Sequence, residues 1–225
     1  MITLIDHMGN DASVANAARV SLSKETFLEA GLLKATDRHL LEYLAKNNHI
    51  SPFFHVQFSF RIQMPIFTKM QWEKSKIGIS PAIDETVINS VSRRYVNDAP
   101  EFFMPDYFRP KAESVKQGSA DIEHPRNGYW MQMFERYYQT AKDFYESAIR
   151  DGICPEQARM MLPQSMMTEF IQTGSLAAFF RIWKLRGYHT HAQKEIQIYA
   201  EQVAELIKPI VPNSWEVLSL YGKDI

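Results

Sequence analysis

One cysteine, Cys154, among 225 residues excludes an internal disulfide framework and any multi-cysteine metal site, and it fits a reducing compartment. That thiol reads as a small, buried or half-buried side chain without a catalytic duty. No apolar run approaches the roughly 20 residues that span a bilayer, and Met1 to Asp6 is too short and too acidic for a signal peptide. A soluble, cytoplasmic protein with no membrane partner is expected. A charge excess is missing as well. With 25 Lys+Arg against 26 Asp+Glu, the net charge is −1, so no global field draws the chain to nucleic acid. Any anion it binds must meet a local cluster of arginines. Apolar residues are plentiful at 45%, enough for one substantial core in a single domain spanning 1–225.

Residues 1–6 read as a short strand, and Asp11 is placed to cap a helix over Ala12 to Ser21. A second helix starts at Asp37, buries Leu40, Leu41, Tyr43, Leu44 and Ala45, and ends at Asn47-Asn48. Val56, Phe58, Phe60, Ile62 and Met64 alternate with Gln57, Ser59, Arg61 and Gln63, the pattern of a half-buried strand. Pro65 suits the first turn of a helix running through Trp72. The patterning weakens over 78–117, which reads as loops around a short element at Val87 to Tyr95. Trp130, Met133, Phe134, Tyr137, Ala141, Phe144, Tyr145 and Ala148 recur at helical spacing, and Gly152 is placed to stop that long, central helix. Further helices are expected at 155–170, 173–186 and 190–208, the last with Ala192, Ile196, Tyr199, Ala200, Val203 and Ile207 on one face. The fold class is α/β of the α+β type, with a mainly antiparallel sheet from the N-terminal half and a helical C-terminal half.

Four stretches carry possible chemistry. Met8 to Ser21 is a helix lined with small residues, which by itself means close packing. His49 to Trp72 sets two imidazoles and Gln71 around the clear strand, where a histidine is as well read as structural. In Asn89 to Val96, Ser92 and the adjacent Arg93 and Arg94 can hold a phosphate by charge-assisted hydrogen bonds, or form a basic patch on a solvated turn. Ala158 to Ile196 places Arg159, Arg181 and Arg186 among apolar residues, and desolvating a guanidinium costs several kcal/mol or more. Something must pair with them, either a planar anionic ligand or structural carboxylates. His189 and His191 have no third ligand nearby in sequence, so they read as solvated side chains and no metal is predicted.

In chain order, MGND with NAARVS, H-x-SPF-x-HxxFxFxIxxPIF-x3-QW, S-x-RYV, AR-x2-LP, TGSL and AQKEI run nearly end to end, and together they resemble the flavin-dependent thymidylate synthases. The TGSL form looks most like phage-encoded members, which would place the protein in a host cytoplasm. The resemblance implies a homotetramer that methylates dUMP reductively, with FAD as cofactor and NADPH and methylenetetrahydrofolate as co-substrates. By position, Gln71, Lys74, Ser92, Arg93, Arg94, Arg159 and Arg186 then look like nucleotide contacts. Arg186 matches the arginine beside the pyrimidine edge, where a fixed guanidinium stabilises charge developing on the ring. His49, Ser51, Lys74, Ser75, Lys76, Ser175 and Arg181 fall at flavin positions. Hydride delivery by a flavin requires no cysteine nucleophile.

The chain also departs from the pattern. Lys74-Ser75-Lys76 stands where the family has Arg-His-Arg, and fifteen residues instead of seven precede Ser92. Lysine lacks the planar fork of arginine, and serine removes an imidazole. Ser90 and Phe54 replace family glutamates, and Ser175, Ala177 and Arg181 replace family Asn, Arg and Asn. Nucleotide positions thus survive better than flavin positions. Two alternatives follow: a deoxypyrimidine-monophosphate hydroxymethyltransferase on the same fold, and a non-catalytic nucleotide-binding homologue.

Overall fold

The alternation at 56–64 becomes a strand because its even-numbered side chains are apolar and its odd-numbered ones polar. In the computed structural model, which describes residues 1–20, 24–75, 86–92, 99–113 and 118–222, Phe58, Phe60, Ile62 and Met64 are buried on strand β2 (Gln57–Pro65). Strand β1 (Ile2–Met8) pairs antiparallel with it, Ile2 opposite Ile62 and Leu4 opposite Phe60, with a register shift between Leu4 and Asp6. A four-stranded sheet has the order β1-β2-β4-β3, where β3 is Thr86–Ser90 and β4 is Met167–Ser175. Contacts from Leu176 N–H to the Val56 carbonyl, Thr173 to Ser59 and Ile66 N–H to the Met166 carbonyl lie on one antiparallel register.

Strand β4 corrects the helix expected over 155–170. Only Pro155–Ala158 (α5) and a 3-10 turn at Arg159–Met161 are helical there. The inward positions of β4 are Phe170, Gln172 and Gly174. A buried glutamine and a glycine erase the hydrophobic alternation that marks β2, so the sheet draws a strand from the C-terminal half. The short element expected at 87–95 is β3, ending at Ser90.

The described residues form two compact units, Met1–Ile62 with Trp72–Asn89 and Ile171–Ile225, and Gln63–Gln71 with Ser90–Phe170. In the first, helix α1 (Asp11–Arg19) is capped by Asn10, whose side chain accepts from Ala12 N–H, and not by Asp11. The Asp11 carboxylate instead accepts from Asn213 N–H, Asn213 Nδ2 and Ser214 N–H at 2.8–3.0 Å. It therefore caps helix α8 (Pro212–Tyr221), an element with no clear signal in the sequence. Helix α2 (Ala35–Lys46) buries Asp37, Leu41, Leu44 and Ala45, and Asp37 pairs with Arg19. Tyr43, expected inside, is 56% exposed, because a 3.6-residue period turns it away from that face. Helix α3 (Ile66–Lys74) follows β2 directly. Helix α6 (Leu176–Arg186) starts on Ser175, whose Oγ accepts from Ala178 N–H, and buries Phe179, Phe180 and Ile182. Helix α7 (Lys194–Ile207) buries Ile196, Tyr199, Ala200, Val203 and Ile207 as expected.

The second unit is built on helix α4 (Asn127–Arg150), whose chain reverses at Asp151 and Gly152, the latter at φ +84°. Its buried residues are Tyr138, Ala141, Tyr145 and Ala148. Trp130, Met133, Tyr137 and Phe144, which share the helical apolar repeat, are exposed in the single chain, so a second apolar stripe faces outward. Cys154, expected buried or half-buried, is exposed, since it lies just before α5 at a position turned to solvent.

Replacing Asp11 with Ala strands two backbone N–H groups at the start of α8. Stability is expected to fall by about 2–3 kcal/mol, read as a lower urea midpoint with an unchanged m value. A change below about 0.5 kcal/mol would show that water replaces the carboxylate.

Burial raises the Tyr199 phenol from 10.0 to about 12. The folded state then holds that proton more tightly than the unfolded one, so its stability contribution is intact below pH 10 and is lost as pH climbs toward 12. Alkaline unfolding curves are expected to lose on the order of 2 kcal/mol in that window, and Tyr199→Phe to flatten the slope.

Candidate active site

Helix α3 ends in the polar run Lys74-Ser75, and its last turn is held by a buried pair. Trp72 Nε1 donates to Gln172 Oε1 on β4 at 2.7 Å, and both side chains are fully buried. This explains the glutamine in the strand: without it the indole N–H would be stranded. Ser75 N–H then donates to the Trp72 carbonyl, closing the helix and leaving Ser75 1% exposed.

Two arginines of α6 converge on that serine. Arg181 Nε donates to the Ser75 carbonyl at 3.2 Å, and Arg186 Nε donates to Ser75 Oγ at 2.9 Å. Both arginines are half-buried. Guanidinium groups suit this place because the carbonyl end of a helix carries partial negative charge. The hydroxyl orients Arg186 without neutralising it, and among the described residues no carboxylate pairs with Arg186.

The backbone at Arg186 is fixed from the other side by Glu201 on α7. Its carboxylate accepts from Trp183 Nε1 at 3.0 Å and from Tyr188 N–H at 2.8 Å, bracketing the arginine. Gly187 lies against this bracket, and the ring of His189 lies tilted against Trp183, with centroids 4.4 Å apart. His189 is exposed, as a solvated side chain would be, with one ring face toward Trp183 at the end of α6. Glu201 and Gln172 had no signature in the sequence, since a polar residue on a mostly apolar element looks like an irregularity until its partner is known.

The remaining expected residues are spread over both units. In the first, Lys74 is exposed at the end of α3. His49 is exposed after α2, its backbone N–H donating to the Leu44 carbonyl and its ring edge against Tyr43. Ser51 is exposed at the start of a 3-10 turn, Ser51–Phe54. Ser75 and Ser175 are buried, with their hydroxyls engaged on Arg186 and on the start of α6. In the second unit, Gln71 is half-buried on α3 and Ser92 is half-buried just beyond β3, where Val91 N–H donates to the Glu169 carbonyl. Arg159 is exposed on its 3-10 turn, Nε donating to the Glu156 carbonyl at 3.2 Å, so the burial argument applies to Arg181 and Arg186 but not to it. Lys76, Arg93 and Arg94 lie outside the described residues. Among those described, no group of three His, Cys, Asp or Glu is arranged to hold a metal, and no helix is long and apolar enough to cross a membrane.

A family model described as thymidylate synthase complementing protein matches residues 3–213. A flavin-dependent thymidylate synthase of Pseudothermotoga lettingae is 32% identical over 98% of this chain and 90% of its own length. One from Thermus thermophilus is 33% identical over 95% of this chain and 73% of its own. Among solved structures, a UMP/dUMP methylase, PolB, from Streptomyces cacaoi bound with 5-Br UMP is similar at a TM-score of 0.83 and 25% identity, covering 99% of this chain and 94% of that one. With 5-Br dUMP the TM-score is again 0.83, at 26% identity, covering 99% and 95%.

A Cβ at position 187 would fall 2.7 Å from Glu201 Oε1 and 2.8 Å from the Trp183 carbonyl oxygen. Gly187→Ala is therefore expected to cost about 1–3 kcal/mol and several degrees of melting temperature by overpacking. Unchanged melting would mean that the Glu201 bracket yields freely.

Proposed function

Because the chain belongs to the family of thymidylate synthase complementing proteins, we propose that it is a flavin-dependent thymidylate synthase: it methylates dUMP reductively to dTMP, with methylenetetrahydrofolate as one-carbon donor, FAD as cofactor and NADPH as reductant. The observation that carries this reading is the family match over residues 3–213, with Arg186 held in a fixed orientation and without a carboxylate among the described residues. The relatives bear the thymidylate synthase name and the solved neighbour is a methylase, so hydroxymethyl transfer and a non-catalytic role are not favoured. A single domain over 1–225 is part of the same proposal.

Arg186 is the proposed catalytic residue. Its guanidinium, lying at the pyrimidine edge, stabilises negative charge that develops on the ring, and a preset orientation spares reorganisation during the reaction. Gln71, Ser92, Arg93, Arg94 and Arg159 are the proposed contacts to the rest of the nucleotide, with Lys74 adding charge. A phosphate wants several donors and positive charge, and half-buried Ser92 and exposed Arg159 offer both. The dUMP choice over UMP also belongs to this proposal, since the solved neighbour is a methylase of both.

The donor set fits a dinucleotide cofactor. Its pyrophosphate needs cations and hydrogen-bond donors, supplied in one unit by Lys74, Arg181, His49 and Ser51, with Lys76 as a further cation. Ser75 and Ser175, which also match flavin positions, serve from within the chain: one holds Arg186 and the other starts α6. When bound and reduced by NADPH, the flavin would supply a hydride to the uracil ring, which leaves exposed Cys154 without a catalytic task. A homotetramer is proposed as the working form. The outward stripe of Trp130, Met133, Tyr137 and Phe144 on α4 supports association with further copies.

Purified protein is expected to be yellow or to take up FAD, and to convert dUMP to a product heavier by CH2. A gain of CH2O would favour hydroxymethylation, and nucleotide binding without turnover would favour the non-catalytic reading. Arg186→Ala should lower kcat by about 10²-fold, the loss typical of one transition-state charge stabiliser. A near-normal rate would remove Arg186 from the chemistry.

A further inference from the structure

We infer that Ser75 is a positioning residue for Arg186: its hydroxyl fixes the guanidinium from the Nε side and so presents the two terminal nitrogens to the pyrimidine. The inference rests on the reading of Arg186 given above. Three observations carry it. Ser75 is 1% exposed, so its hydroxyl has little water with which to exchange partners. Its Oγ accepts from Arg186 Nε at 2.9 Å, a charge-assisted bond that sets the plane of the guanidinium. The serine is itself held, because its N–H donates to the carbonyl of Trp72, whose indole is locked on Gln172.

The chemistry of the acceptor matters as much as its place. A carboxylate at this position would hold the guanidinium more tightly but would neutralise the charge that the reaction uses. A hydroxyl fixes direction and leaves the positive charge available. The Nε bond also leaves the Nη edge of the fork for a two-point contact to a flat ring. Where the family pattern has a histidine, this chain has the smaller side chain whose oxygen meets Arg186. Arg181 offers a control within the same protein. It donates to the Ser75 carbonyl, which every substitution at this position retains.

The test uses Ser75→Ala, Ser75→Thr, Arg186→Ala and the double variant S75A/R186A as FAD-loaded holoenzymes, assayed with dUMP. S75A is expected to lose about 10- to 100-fold in kcat/KM, the equivalent of one charge-assisted hydrogen bond. S75T, which keeps the hydroxyl, should return to within about threefold of wild type, and S75A/R186A should match R186A within about twofold. Hydrogen exchange at arginine Nε, followed by NMR, should show protection of Arg186 lost in S75A and that of Arg181 kept. If S75A does not fold, Ser75→Gly removes the same hydroxyl with less volume. Unchanged Arg186 protection in S75A, or losses that multiply in the double variant, overturns the inference while wild-type turnover stands. A wild-type protein that neither binds nor methylates dUMP overturns the reading of Arg186, and the inference with it.

Discussion

A guanidinium cannot lose its water without gaining a partner, and that constraint organises the first of the two compact units. Arg181 and Arg186 leave the same helix within two turns and are both half-buried. Their common partner, Ser75, offers a carbonyl to one and a hydroxyl to the other. Neither acceptor carries a formal charge. For Arg186, which no described carboxylate pairs, orientation comes without neutralisation, the electrostatic condition that its proposed role requires.

That arrangement needs rigid supports, and each comes from a residue that looks out of place on its element. Gln172 interrupts the apolar inner face of β4, yet its side-chain carbonyl takes the Trp72 indole N–H and so fixes the last turn of α3. Glu201 sits on a helix whose buried face is mostly apolar, yet its carboxylate gathers Trp183 and Tyr188 on either side of Arg186. Asp11, buried beneath α8, does the same for that helix's first turn. The acceptor oxygens of all three meet backbone, amide or indole donors, which offsets their burial, while Gln172 Nε2 has no partner among the described residues. Movement of Arg186 would require breaking such a bond in a low-dielectric setting, where it is strong.

Legibility in the sequence followed from how many constraints act on a residue at once. Strand β2 was readable because period-two alternation survives intact in Phe58, Phe60, Ile62 and Met64. Strand β4 was not, because Gln172, paired with the Trp72 indole, and Gly174, which has no side chain, take inward positions and break the hydrophobic alternation. Helix α4 was readable as a helix but not as to its faces: Phe144 is 60% exposed, and an apolar stripe on the outside looks the same in sequence as one on the inside. The cap of α8 lies two hundred residues away in Asp11, beyond any local motif. At the site, the demand of Arg181 and Arg186 for partners could be foreseen from burial cost, but Ser75 as the partner could not, since nothing local joins it to α6. Family resemblance located Ser75 and Ser175, and geometry then showed both hydroxyls engaged within the chain.

The proposed arrangement is a flat uridine nucleotide whose ring edge meets a guanidinium already held from behind. The most direct measurement is a crystal structure of the FAD-loaded protein with dUMP. Arg186 should lie about 2.7–3.2 Å from a pyrimidine heteroatom, with its Nε still on Ser75 Oγ. A nucleotide bound away from Arg186, or an Arg186 that has turned from Ser75 onto a carboxylate, would contradict the account.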